Sequence, residues 1–174
     1  MPVEPTHRRS IRLAGYDYTR PGAYFVTICS YRKQHIFSKV ANDSVDLSPI
    51  GEIVEEELER TPVLRSDTKI DRYVIMPNHV HVIIQFLDSS MHVGAHRDAP
   101  LHRPARSLGA IVGQFKGSVT LRVRKYFRDP DYRVWQRNYY EHVIRDEDDL
   151  ARIRRYIHIN PATWSEDEYY HPST

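Results

Sequence analysis

One cysteine, Cys29, stands in the 174-residue sequence, so no internal disulfide can form. It lies in an apolar, strand-like run, which argues against a catalytic thiol, and the cytoplasm is the expected compartment. No apolar run approaches the length of a membrane span, and the opening "MPVEPTHRRSIRLAG" lacks the apolar segment of a signal peptide. Neither a membrane partner nor a secreted, disulfide-stapled fold is therefore expected. Net charge is also scarce: the formal value is +2. With 40% hydrophobic residues and a mean hydropathy of −0.60, the composition is that of a soluble globular chain with one core. No repeats and no linker are visible, so a single domain over 1–174 is expected.

What charge there is falls unevenly. "FKGSVTLRVRKYFR" (115–128) holds five basic residues and no acid, whereas "DEDD" (146–149) has the opposite sign. Lys116, Arg122, Arg124 and Lys125 could follow a phosphate backbone, and Arg8, Arg9 and Arg12 could add a basic arm within 1–20. A solvated helix face explains the same charges.

The periodicities give an element order. "GAYFVTICSYR" (22–32) reads as a strand, and "SPIGEIVEEELERT" (48–61) as a helix with Ser48 at its N-cap and Pro49 at its first position. "KIDRYVIMP" (69–77) and "HVHVIIQF" (79–86) read as strands joined by a tight Pro77-Asn78 connection. Residues 87–106 have no periodicity and read as a long mobile loop. A glycine-interrupted helix is expected over 107–127, a strand over 132–144, and a helix over 146–160 with Asp146 as cap and Pro161 as stop. The order β-α-β-β-α-β-α predicts an α+β fold: a ferredoxin-like βαββαβ antiparallel sheet, helices on one face, and an additional C-terminal helix.

Within this frame one stretch is chemically unusual. In "MPNHVHVIIQ", His79 and His81 are two apart on a strand, so they share a face with Cα atoms about 7 Å apart, while Val80 and Val82 face the core. Two imidazoles on one face can bind a divalent metal; they can equally be hydrogen-bonded polar residues. On the last helix Tyr156 and Asn160 are four apart and share a face. An asparagine oxygen could complete a cation site, and a tyrosine hydroxyl can attack phosphorus. Separately, Tyr156 could be a packed surface residue among twelve tyrosines and Asn160 a helix terminus. Trp135, Tyr139 and Tyr140 could stack on bases or pack. His92, His96 and His102 lie in the long loop and could form a second metal site or none. No role emerges for His142.

Four ordered segments, "GAYFVTICSY", "YVIMPNHVHVII", "VWQRNYYEHVIRDEDDL" and "RRYIHINP", resemble the REP-associated tyrosine transposases. These belong to the single-tyrosine, His-hydrophobic-His superfamily, and the resemblance runs from about Gly15 to Trp164. It implies a ferredoxin-like palm, with His79, His81 and Asn160 as metal ligands and Tyr156 as nucleophile. It further implies Mg²⁺ or Mn²⁺ as cofactor and, as substrate, single-stranded DNA carrying a REP-type hairpin with a short guide sequence. Strand cleavage and transfer would pass through a 5′-phosphotyrosine, in a monomer or homodimer. A domesticated hairpin-binding protein that does not cleave, and a metal-dependent phosphodiesterase without a covalent link, remain the competing expectations.

Overall fold

The computed structural model describes Asp17, residues 21–87 and residues 107–170. Strand β1 (Gly22–Cys29) is dense in aromatic and β-branched residues and sits centrally. It pairs antiparallel with two strands: His79–Phe86, which is β5 in chain order, and Tyr140–Ile144, which is β6. The edge beyond β5 is β4 (Thr68–Ile75), giving the order β4-β5-β1-β6. With α1 (Pro49–Leu64) and α2 (Leu108–Phe127), this is the expected ferredoxin-like α+β sheet.

The C-terminal helix α3 (Glu147–Ile159) covers the other sheet face. Alternation within the strands separates two cores. Val26, Ile28, Val80, Val82 and Ile84 meet Ile50, Val54, Ile111 and Val112 of α1 and α2. Phe25 and Ile83 point the opposite way and meet Leu150, Ile153 and Ile157 of α3. Burying each of these large side chains contributes about 1.5–3 kcal/mol. A two-bond ion pair fixes the rotation of α3: Arg154 donates from Nε and Nη2 to the two Asp71 oxygens of β4, each at 2.7 Å.

Three features depart from the expected elements. A hairpin, β2 (Ser38–Ala41) and β3 (Ser44–Leu47), lies between β1 and α1 and turns at Asn42 and Asp43, with φ of 50° and 58°. Such a turn needs φ > 0 at both central residues, which asparagine and aspartate tolerate better than most. Gly51 lets α1 close on this hairpin, since a Cβ there would stand 2.0 Å from the Phe37 carbonyl oxygen. The last strand begins only at Tyr140, because residues 132–139 bond elsewhere. The Lys116 ammonium of α2 donates to the carbonyls of Gln136 and Arg137 at 2.6 and 3.2 Å, and Trp135 packs on Phe37 and Phe115. Finally, α1 runs on through Pro62 to Leu64.

The expected N-terminal arm (1–20, apart from Asp17) and the loop at 88–106 lie outside the described residues. No helix among the described residues is long and apolar enough to cross a membrane.

The Asp71 carboxyl is held below its ordinary 3.8 mainly by the Arg154 hydrogen bonds. A carboxyl lowered in the folded state stabilises above its unfolded pKa and loses that contribution as pH falls through the folded value. Urea unfolding of Asp71→Asn should show a lower midpoint than wild type at neutral pH. Below pH 3.8 the wild-type and variant curves should converge as the pair is protonated.

Candidate active site

Strand β5 aims His79, His81 and Ile83 at the α3 side. The two imidazoles were expected to face out of the core; instead they are 0% and 1% exposed. They are covered by the segment after α3, a 3₁₀ turn at Trp164–Glu166 followed by Asp167, Glu168 and Tyr169. The Tyr169 ring lies 4.8 Å from His79 and the Trp164 ring 5.8 Å from it. Asn78 locks the cover by donating from Nδ2 to the Tyr169 carbonyl at 2.8 Å.

That bond also sets the chemistry of the first histidine. It leaves the Asn78 Oδ1 to accept from His79 Nδ1 at 2.9 Å, so Nδ1 carries the proton and Nε2 presents a lone pair. His81 Nδ1 meets Thr27 Oγ1 at 2.8 Å. The two Nε2 atoms then stand 3.0 Å apart. Two ligands each about 2.1 Å from one ion and at right angles to it are separated by about 3 Å, so this spacing suits a shared cation. Burial lowers the His79 pKa to about 4, against an opposing pull from Asp167, and lowers that of His81 well below 6.5. Both rings are therefore neutral at pH 7, the state in which imidazole binds metal.

Helix α3 and its extension bring oxygen ligands to the same place. Asp167 joins the histidines in a group whose ligand atoms lie within 4.8 Å of one another. Its Oδ2 accepts from the Asn160 Nδ2 at 2.6 Å and from the Tyr156 hydroxyl at 3.1 Å. The reverse amide orientation would set two oxygens against each other, so the Asn160 Oδ1 points away from Asp167. That oxygen is buried and has no hydrogen-bond partner among the described residues. An unmade bond there costs about 1–3 kcal/mol, which a cation would offset. The donor set, two neutral imidazoles, a carboxylate and a buried amide oxygen, fits a divalent ion.

Tyr156 sits at the centre. Its hydroxyl is 3.2 Å from His81 Nε2, and burial followed by the Asp167 charge raises its pKa above 10. The phenol opens onto a cleft of about 650 Å³, lined also by Tyr140, His142, Arg152 and Glu166. His142 Nε2 meets Asp149 Oδ2 at 2.8 Å, joining β6 to the first turn of α3; that Asp149 carboxyl is held low by His142 and then by Arg152.

His79, His81, Tyr156 and Asn160 are thus brought together. Asp167 was not foreseen: "TWSEDEYY" has no periodicity, and the only signal was a carboxylate seven residues past Asn160. The α2 cations fall elsewhere. Lys116 is bonded to carbonyls, Arg122 pairs with Glu56 and Glu57, and Arg124 donates to the Tyr132 carbonyl. With the exposed Lys125 they lie on the helix layer across the sheet from Tyr156. Arg8, Arg9, Arg12, His92, His96 and His102 lie outside the described residues.

No protein-family model matches the chain. A Haemophilus influenzae protein of uncharacterised function is 39% identical over 173 residues, covering 94% of this chain and 93% of the relative. A second H. influenzae protein, named "Putative REP-associated tyrosine transposase", is 30% identical over 88 residues, 51% of this chain and 46% of the relative. The solved REP-associated tyrosine transposase bound to a REP hairpin superposes with a TM-score of 0.60 at 18% identity, covering 90% of this chain and 76% of that one. The fold is thus like that of the solved REP-associated tyrosine transposase, and about half of the chain is similar in sequence to the second H. influenzae protein. The chain belongs to one family with the uncharacterised H. influenzae protein, and it resembles the REP-associated tyrosine transposases.

If these side chains hold a cation, Mn²⁺ at 100 times its dissociation constant should stabilise the fold by about 2.7 kcal/mol in thermal unfolding. His81→Ala should remove that increment. An equal increment in the variant would place the ion elsewhere.

Proposed function

We propose that this chain is a metal-dependent tyrosine transposase that cleaves and rejoins single-stranded hairpin DNA of the REP type. The observation that carries the reading is the Tyr156 hydroxyl, set between His81 Nε2 and Asp167 Oδ2 at 3.2 and 3.1 Å. His79, His81 and Asp167 would hold Mg²⁺ or Mn²⁺, with the Asn160 Oδ1 as a further oxygen; the ion supplies Lewis-acid polarisation of the scissile phosphate and charge for a phenolate.

The remaining steps use the chain's own groups. Tyr156, with its raised pKa, is a protonated phenol at neutral pH. As its oxygen forms the bond to phosphorus, its proton passes to Asp167 Oδ2, the carboxylate it already faces. The P–O3′ bond breaks, and the 3′ oxygen leaves as a hydroxyl with the proton that Asp167 Oδ2 took from the phenol. A 5′-phosphotyrosine remains, and attack by a 3′-hydroxyl restores the phosphodiester without external energy. Arg152 lines the same cleft one helical turn from Tyr156, where it pairs with Asp149 and keeps positive charge beside the phenol. His142, through Asp149, holds the start of α3, and with it the approach of Tyr156, in place. Phosphate contacts by Lys116, Arg122, Arg124 and Lys125 are not part of this reading, because the first three are engaged within the fold and all four lie across the sheet from Tyr156; Arg8, Arg9 and Arg12 remain candidates for a basic arm. One tyrosine makes one link, so two cleavages need two copies or two turnovers. The cytoplasm is the compartment this reading implies.

Incubation with an end-labelled hairpin oligonucleotide and Mn²⁺ tests this. Wild type should give a denaturant-resistant protein–DNA adduct. Tyr156→Phe should give none while its mobility shift is unchanged. Free products without an adduct would indicate a phosphodiesterase, and a shift without cleavage a binding protein.

A further inference from the structure

The turn after β1 gathers cations for which the centre above has no use. Cys29, the last residue of β1, is paired with His79. Tyr31, Arg32 and Lys33 follow at once. The turn is fastened to the connection that introduces His79: Ser30 donates its N–H to the Asn78 carbonyl at 2.8 Å, and Phe37 to that of Pro77 at 3.0 Å. The Lys33 ammonium lies 5.4 Å from the Tyr169 ring, which itself covers His79. The turn therefore forms part of the rim of the histidine pair.

Arg133, from the loop ahead of β6, meets the same turn. The guanidinium carbons of Arg32 and Arg133 lie 5.2 and 5.4 Å from the centre of the Tyr31 ring, and Arg133 reaches the Tyr31 hydroxyl at 3.4 Å. Backbone contacts hold the two segments together, since Tyr31 donates its N–H to the Val134 carbonyl at 2.8 Å and Ser30 bridges to Trp135. Both guanidiniums are exposed. Among the described residues neither makes an ion pair with a carboxylate, unlike Arg60, Arg122, Arg152 and Arg154. Two like charges on one ring repel. The backbone is strained as well: Arg32 and Lys33 both have φ of 56°, where glycine or asparagine is favoured. Strain of this kind gathers at binding sites, where a ligand rewards the conformation.

We propose that Arg32 and Arg133, braced on Tyr31, bind the phosphate backbone of single-stranded DNA where it passes the rim of the metal centre. The inference rests on the nucleic-acid reading above and adds the path of the strand. Guanidinium forks match phosphate oxygens, and the half-buried Tyr31 ring holds the two forks side by side. A contact of this kind positions the strand without reading its sequence.

Fluorescence anisotropy with labelled oligothymidylate, titrated at several salt concentrations, tests it. Each single-strand phosphate contact contributes about 0.7 to the slope of log K against log salt, so Arg32→Gln with Arg133→Gln should reduce the slope by about 1.4. Arg32→Lys with Arg133→Lys should restore it. If the double variant melts early, Arg133→Gln alone, which leaves the strained turn untouched, should reduce the slope by about 0.7. Glutamine variants with wild-type affinity and slope would overturn the proposal while leaving the transposase reading intact. Absence of binding by wild type, to oligothymidylate and hairpin alike, would overturn both.

Discussion

Strand β5 carries hydrocarbon on one face and imidazole on the other, and the rest of the fold covers both. Val80, Val82 and Ile84 demand a helix layer, which α1 and α2 supply. His79 and His81 cannot be buried under hydrocarbon alone, because their nitrogens need partners. The opposite layer therefore combines an apolar stripe, Leu150, Ile153 and Ile157, with the polar groups of Asn160 and Asp167 a turn further on. Ile83 receives the stripe and the histidines receive the polar end. The Arg154–Asp71 pair sets the rotation that makes both matches at once.

Burial then determines the state of each group. The imidazoles are neutral because charging them without water is costly, and Asn78 and Thr27 orient their rings from behind. The Tyr156 phenol is protonated for the same reason. The Asn160 amide oxygen is buried without a bond, and two imidazole nitrogens and a carboxylate stand within ligand distance of one another beside the phenol. One divalent cation would use these donors together, and this economy is the physical argument for a single centre rather than five unrelated polar residues.

Much of this was legible in the sequence because it is periodic. The two-residue period of "HVHVIIQ" and the helical stripe of "DLARIRRYIHIN" assign faces without reference to partners, and the element order follows from strand and helix lengths. What was missed depends on contacts between segments distant in the chain. Residues 132–139 have strand composition, yet their carbonyls go to the Lys116 ammonium and Trp135 to the core. The "SKVANDSVDL" hairpin is short, and its Asn-Asp turn is a weak signal. Asp167 is an ordinary acid in an acidic tail until Asn160 and Tyr156 donate to it. The basic stripe of α2 was visible as charge, but only the fold shows it to be on the far side of the sheet from Tyr156.

The central claim is that His79, His81, Asp167 and Tyr156 form one metal and nucleophile centre. Anomalous diffraction from crystals grown with Mn²⁺ tests it most directly. The account predicts one strong peak between the two Nε2 atoms, about 2.1 Å from each, with the Asp167 carboxylate or the Asn160 Oδ1 beside it. A histidine pair still bonded ring to ring at 3.0 Å, with the ion bound elsewhere, would contradict it.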